Sequence, residues 1–158
     1  HFTDDVVSGL EERGVRQAPM TLHVGPGTFL PVRSDCADDI RKHEMHGEFY
    51  RIPARTCELV EDTRRNGNRV VAVGTTVVRA LETYAATGSA QGESKIFIYP
   101  GHEFSLVDAL VTNFHLPRST LLMLVSAFAG RDSILEAYQE AIREKYRFFS
   151  YGDAMLLI

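Results

Sequence analysis

The spacing of apolar positions changes period along the chain, and each change marks an expected element. Thr3 to Gly14 reads as a helix, with Thr3 as N-cap, Asp4 and Asp5 in the first turn, where the helix dipole favours anions, and Gly14 as the stop. Met20 to Val24 has the composition of a strand and runs into Gly25-Pro26-Gly27. Ser34 is positioned to cap a short helix through Asp38 to Lys42, and Met45 to Ile52 alternates as a strand until Pro53 breaks it. Pro53 then starts a helix over Ala54 to Arg65, where Cys57, Leu59 and Val60 form the apolar face and Asn66-Gly67 closes it. Arg69 to Val73 is a β-branched run ending in Gly74. From Thr75 to Thr87 the period becomes helical through Val78, Leu81 and Ala85, and Gly88 ends it. Lys95 to Tyr99 reads as a strand closed by Pro100-Gly101, Leu106 to Val111 as extended, and Asn113 to Pro117 as a loop, with Pro117 marking the next helix. Ser119 to Ala129 is apolar nearly all round, so that helix is expected inside. Asp132 to Tyr146 carries a stripe of Ile134, Tyr138, Ala141 and Ile142, so it is expected to cover. Ala154 to Ile158 is short and apolar, as an inner strand would be.

Strands alternating with helices predict an α/β fold, as one domain over residues 1–158 with an open, largely parallel sheet flanked by helices. Ligands of such sheets sit outside the carboxyl ends of the strands, which points to the loops after Val24, Val73, Tyr99 and Val111. The 158 residues, 44% hydrophobic and 24% charged, suit one globular unit and exclude a disordered or collagenous chain. The run from Leu121 to Ala129 is far shorter than the roughly 20 residues of a membrane-spanning helix. With 17 Lys and Arg against 21 Asp and Glu, a net charge of -4 argues against a nonspecific nucleic-acid coat. Basic residues do gather locally, at Arg64, Arg65 and Arg69 and at Arg143, Lys145 and Arg147, where a solvated helix face is the simpler explanation. Cys36 and Cys57 are read as inert thiols in a reducing cytoplasm. An opening at His1 without Met or a secretory signal leads to the expectation that this is a piece of something longer.

Four segments carry candidate chemistry. Gly74, Thr75 and Thr76 open a helix, where unpaired N–H groups and the dipole favour an anion. Arg79 lies in an early turn of that helix, where a cation opposes the dipole, so it is read as facing an external carboxylate or phosphate, or else as pairing with Glu82. Gly25 and Gly27 would let a ligand approach the backbone, or simply form a turn around Pro26. His43, Glu44, His46 and Glu48 crowd one segment. In an extended chain His46 and Glu48 share a face, so the carboxylate can raise the proton affinity of the imidazole. A metal site is not expected there, because the i, i+4 histidines of a zinc helix and a third ligand are missing. His23 and His115 each suit either proton transfer or a hydrogen-bonded place in the core. Tyr146 to Met155 sets four aromatics beside Arg147, Ser150 and Asp153, a mix that stacks on a base or plugs a core. A dinucleotide G-x-G-x-x-G and a Walker loop are both absent.

Taken in order, TLHVGPGTF, MHGEFY, VAVGTTVVRALE, FIYPGHEF, LVTNFHLPRSTLLMLVSAFAG and YRFFSYGDAM resemble the bacterial S-adenosylmethionine:tRNA ribosyltransferase-isomerases of queuosine biosynthesis. The resemblance runs from Phe2 to Ile158 and corresponds to the C-terminal half of that family, without most of its inserted β-barrel. Pro26, Gly47 and Val77 depart from the family pattern. The resemblance implies transfer and isomerisation of the ribosyl part of S-adenosylmethionine onto 7-aminomethyl-7-deazaguanine at the tRNA wobble position, giving epoxyqueuosine, adenine and methionine. S-adenosylmethionine is then a consumed substrate, with no further cofactor and no metal. The partner is the tRNA carrying the deazaguanine in its anticodon, the setting is the cytoplasm without a membrane, and a monomer is compatible with it.

Carried onto this chain, the resemblance makes His46, oriented by Glu48, the first candidate base, with His23 and His115 serving adenine or the attacking amine. Gly74, Thr75, Thr76 and Arg79 would hold the methionine carboxylate. Gly25, Gly27 and Thr28 would pass close to the nucleoside, Tyr99, Phe114 or Phe149 would stack on a base or face the sulfonium, and Asn113 and Asp153 would read the deazaguanine edge. Two rivals stand beside it. One is a methyltransferase using the same cosubstrate, which the single glycine of VAVGTT disfavours; the other is an inactive binding or assembly fragment.

Overall fold

The computed structural model describes residues 2–25, 40 and 43–158. Pro26, Gly27, Thr28, Cys36 and the short helix expected after Ser34 lie outside the described residues, Ile40 excepted. In chain order the elements are α1 (Asp4–Glu12), β1 (Thr21–His23), β2 (Glu48–Arg51), α2 (Ala54–Arg65), β3 (Val71–Val73) and α3 (Thr75–Thr87). They continue with β4 (Gln91–Ser94), β5 (Ala109–Asn113), α4 (Thr120–Ala129), α5 (Arg131–Arg143) and β6 (Ala154–Leu157).

The α/β class holds, but the strands divide between two small sheets rather than forming one open, largely parallel layer. β1, β2 and β4 make an antiparallel sheet in that order; in the second, β5 pairs in parallel with β3 and antiparallel with β6. The division follows from α3. Gly88 ends the helix in the left-handed conformation, φ 70°, with its N–H on the Tyr84 carbonyl, and the chain turns at once into β4. β4 therefore falls beside β2, with Ser94 opposite Glu48, instead of returning to the sheet of β3.

Side-chain periodicity places the helices. α3 buries Val78 and Leu81 between the sheets, and α4 buries Leu121, Leu124 and Val125. Ser119 caps α4 by accepting from the Leu122 N–H at 3.1 Å, so the helix begins at Thr120, shortly after the Pro117 that signalled it. Gly130, at φ 85°, separates α4 from α5, which buries Ile134, Tyr138 and Ala141; Ile142 is exposed and not part of the stripe. One cluster of buried side chains joins Tyr50 and Ile52 of the first sheet to Leu110 and Leu157 of the second. α1, capped by Thr3, buries none of its residues. Lys95 to Tyr99 is irregular, although Ile98 is buried. Among the described residues no helix is long and apolar enough to cross a membrane.

Candidate active site

The carboxyl ends of β3 and β5 open side by side onto a cleft of ≈ 330 Å³. Gly74 leaves β3 at φ 100° and ψ 145°, a conformation essentially closed to other residues, and its N–H donates to the Val111 carbonyl at 2.8 Å. That bond fixes the two strand ends relative to each other. Thr75, Thr76 and Val77 of the first turn of α3 line the floor, and no side chain caps this helix. Its leading N–H groups and the positive end of its dipole are thus available to an anion. α4 also begins at the cleft, but Ser119 caps it and donates in turn to the Leu116 carbonyl at 2.7 Å.

The walls are aromatic. Phe114 is buried, in edge contact with Tyr138 at 5.2 Å and Tyr146 at 5.8 Å and tilted against Phe148 at 5.2 Å. Phe149 lines the cleft while remaining 55% exposed, and its N–H donates to the Phe114 carbonyl at 3.2 Å. Asn113 lines the same wall, with Nδ2 donating to the Asp153 carbonyl at 3.2 Å. His115 completes it. Its Nε2 lies 2.9 Å from Thr112 Oγ1 and its backbone N–H donates to Tyr138 Oη at 2.7 Å. Burial pushes the imidazole pKa down to about 4, so His115 is neutral at neutral pH.

Other expected site residues stand elsewhere. Leu22 of β1 reaches the cleft, so by alternation His23 points to the other face, exposed and edge-on to Phe49 at 5.4 Å. Gly25 has open space around it. Tyr99 packs against Phe97, at 5.1 Å, outside the lining.

Arg79 faces neither an external anion nor Glu82. It is 1% exposed; Nη1 donates to Glu48 Oε2 at 2.6 Å, Nη2 to the carbonyls of His46 and Ser94 at 3.2 Å each, and Nε to the Ile96 carbonyl at 3.2 Å. Burial lowers its pKa while the Glu48 carboxylate raises it. Glu48 therefore meets Arg79 and does not orient the exposed His46, because β2 begins only at Glu48 and the alternation that would have aligned the two is absent. Glu82 is taken up by the N–H groups of Ser105, Leu106 and Val107 at 2.8 to 3.1 Å. Asp153 accepts from the Arg147 N–H at 2.8 Å and from Nη2 at 2.9 Å; these bonds hold its carboxyl below the usual range and commit it to bracing its own loop. At Gly47, a departure from the expected pattern, the Glu93 side chain occupies the space of the missing Cβ.

The family model described as "Queuosine biosynthesis protein" matches residues 1–157. The chain belongs to the queuosine biosynthesis protein family. Among curated proteins it is 59% identical, over 158 residues, to the S-adenosylmethionine:tRNA ribosyltransferase-isomerase of Sulfurihydrogenibium sp. (strain YO3AOP1), covering all of this chain and 46% of that one. It is 55% identical over 161 residues to the protein of that name from Thermotoga maritima, covering 47% of it. A crystal structure of S-adenosylmethionine tRNA ribosyltransferase from Thermotoga maritima superposes with a TM-score of 0.80 at 50% identity, over all of this chain and 50% of that one. The chain thus spans about half the length of the relatives it matches.

In this queuosine biosynthesis family member the six sequence segments have distinct jobs. VAVGTT and VTNFHLPRS build the floor and one wall of the cleft, and YRFFSYGDAM contributes Phe149, Ser150 and Ala154 to the other. MHGEFY supplies the carboxylate and carbonyl that hold Arg79. FIYPGHEF gives the core its Ile98 and packs the half-buried Phe104 against it, edge-on to Phe128 at 4.8 Å. Phe2, Leu22, Thr112 and Ser119 also line the cleft and were not singled out. The signal available for Thr112 was its place beside Val111 at the carboxyl end of β5, and for Ser119 its place as the cap of the next helix; Phe2 had none.

Proposed function

We propose that this chain supplies the S-adenosylmethionine-binding part of a tRNA ribosyltransferase-isomerase, with the reaction and the tRNA substrate set out above. The observation that carries the reading is the meeting, in one cleft, of an uncapped helix N-terminus, aromatic walls and a neutral histidine. The methionine carboxylate suits the N–H groups of Thr75 and Thr76, since the Gly74 N–H is held by Val111, and the sulfonium suits the faces of Phe114 or Phe149. A histidine that stays neutral brings no second positive charge beside a cationic substrate. Of the three histidines singled out, His115 lines the cleft, so we assign it the proton-handling role near the reacting ribose. The sulfonium acidifies the adjacent C5′ protons; loss of one starts the rearrangement, adenine departs, and the neutral amine of the deazaguanine bonds to carbon and gives up a proton. Methionine leaves as its neutral thioether as the C5′–sulfur bond breaks and the epoxide closes. S-adenosylmethionine is consumed rather than recycled, and both substrates belong to the cytoplasm.

The chain's span, 46% of one relative's length, favours a second reading in which it seats S-adenosylmethionine and the remaining portion completes the catalytic site. One experiment separates them. The chain, alone and combined with the complementary portion of a relative, is incubated with S-adenosylmethionine and tRNA bearing the precursor, and free adenine and methionine are quantified. Equimolar release by the chain alone supports full activity. Binding alone, with release only in the combination, supports the second reading, and methylated RNA without adenine overturns both in favour of a methyltransferase.

A further inference from the structure

We propose that Lys145 to Tyr151, whose Phe149 and Ser150 line the cleft, with Arg118, which adjoins the cleft-lining Ser119 in sequence, is the surface on which the single-stranded anticodon loop lies, Phe149 and Tyr151 stacking on bases and Lys145 and Arg118 meeting phosphates. The proposal rests on the reading of tRNA as the substrate and adds where it lies.

Of the aromatics in this segment, Phe148 packs on Phe114 and Tyr138, whereas Phe149 is 55% and Tyr151 95% exposed. An exposed aromatic is ordinary by itself; two beside cations at the rim of a cleft are the combination that single-stranded RNA readers use. The loop is held in shape from below. The Asp153 carboxylate takes the Arg147 N–H and guanidinium, the Asp153 N–H returns to the Arg147 carbonyl at 2.8 Å, and the Gly152 N–H donates to the Phe149 carbonyl at 2.8 Å. A side chain at Gly152 would collide with the carbonyls of Arg147 and Phe148, so the tight return depends on glycine. Among the described residues, the three non-glycine residues with positive φ are Arg118 (59°), Lys145 (59°) and Phe149 (70°): Phe149 lines the cleft, Arg118 adjoins the lining Ser119, and Lys145 closes the end of α5, where the Tyr146 N–H returns to the Ala141 carbonyl at 2.8 Å. Non-glycine residues held in this conformation cluster at active sites and ligand clamps, which is where Phe149 stands. A preformed loop binds without the cost of ordering itself.

Charge selects this rim over the other basic group. Arg143 is engaged by Glu140 and Glu144, and Arg147 by Asp153, but Lys145 and Arg118 are exposed and carry no ion pair among the described residues. In the other group Arg64 is held by Asp108 at 3.2 Å and Arg65 by Asp62 at 2.8 Å, and Arg69 precedes the amino end of β3, away from the cleft. With a net charge of -4 the molecule offers RNA no general attraction, so binding falls to local stacking and a few phosphates.

The test measures binding of an anticodon-arm RNA hairpin by fluorescence anisotropy across a salt series, for the chain and for Tyr151→Ala, Lys145→Ala and Arg65→Ala. Tyr151→Ala is expected to weaken binding about tenfold, the effect of losing one base stack. Lys145→Ala is expected to reduce the slope of log K against log salt by about 0.7, one phosphate contact on a single strand. Arg65→Ala leaves affinity within about twofold, as expected for a cation that makes no phosphate contact, and S-adenosylmethionine affinity is unchanged throughout. No RNA binding by the chain, or affinity untouched by both rim variants, overturns the proposal. So does a Tyr151→Ala variant that loses thermal stability but not RNA affinity, because the ring would then be covered by protein. Aromatic-dependent RNA binding without adenine release breaks the catalytic reading and leaves this one standing; adenine release with an unchanged tRNA KM in both rim variants does the reverse.

Discussion

Two places on helix α3, little more than one turn apart, treat charge in opposite ways. After Gly74, whose own N–H is held by Val111, the helix begins uncapped at a cleft, with the backbone N–H groups of Thr75 and Thr76 and no counter-charge. At Arg79 a full positive charge is sealed inside, with Glu48 and three carbonyls around it. The residue that looked most like an anion receptor has four of its five N–H donors committed inside the fold, and the residues with no formal charge are available. Availability is set by partners, and the partners of Arg79 come from β2, β4 and the segments beside them, 15 to 33 residues away in sequence. The buried site holds two layers together; the open one is free to bind because nothing in the fold consumes it.

The largest effect is expected where that difference is greatest. Glu48→Ala leaves the Arg79 guanidinium buried without its carboxylate, which costs about 3–5 kcal/mol, since an uncompensated interior charge is far worse than an absent pair. Urea unfolding reads this as a lowered midpoint. Replacing both, as Arg79→Met with Glu48→Met, is expected to be less harmful than Glu48→Ala, although three carbonyls then lose a donor. A Glu48→Ala loss below about 1 kcal/mol would mean that Arg79 can reach water, and the contrast between the two places would vanish.

The cleft has its own titrating group, and the sign of its effect is fixed. The His115 imidazole binds its proton near the ordinary 6.5 when unfolded and only at about 4 when folded. Between those values the unfolded chain holds more protons, so stability is fully present above pH 6.5 and is lost progressively as pH falls towards 4. The loss is on the order of 2–3 kcal/mol. His115→Gln removes this contribution, so urea midpoints at pH 7 and pH 4.5 should lie closer together in the variant than in the parent. An unchanged difference would place the imidazole in solvent, where it would be partly protonated near neutral pH and not the neutral group proposed for the cleft.

The sequence carried much of this and stopped at identifiable points. Helices α2, α3 and α4 were legible from their apolar spacing and the loops after Val73 and Val111 from strand logic, because both depend on neighbouring residues. β4 was not, since Gln91-Gly92-Glu93-Ser94 has no apolar alternation; it is a strand only because β2 lies alongside it. Ile96 and Ile98, which do alternate, drew the expected strand four residues too far along. Nor was the pairing of Arg79 with Glu48 legible, because helix-terminus logic sees only the local dipole. His46 and Glu48 looked like a tuned pair on the assumption that the strand had already begun at Met45, and it begins at Glu48.

The smallest effect tests the join between the two strand ends. Gly74 adopts φ 100° and ψ 145°, yet a Cβ built on it would meet nothing within 4 Å. Gly74→Ala therefore incurs a purely conformational cost of about 1–2 kcal/mol, with no steric part. Gly25 likewise has open space around it but no positive φ, so Gly25→Ala should leave stability within about 0.5 kcal/mol. The pair isolates backbone conformation from packing. Relief of the strain would rotate the Gly74 N–H away from the Val111 carbonyl and tilt the first turn of α3 out of the cleft. Gly74→Ala is thus expected to weaken S-adenosylmethionine binding about tenfold by calorimetry while Gly25→Ala leaves it unmoved. Equal affinity in both variants would show that the open end of α3 does not hold the ligand, and that only the sealed end of this helix had been understood.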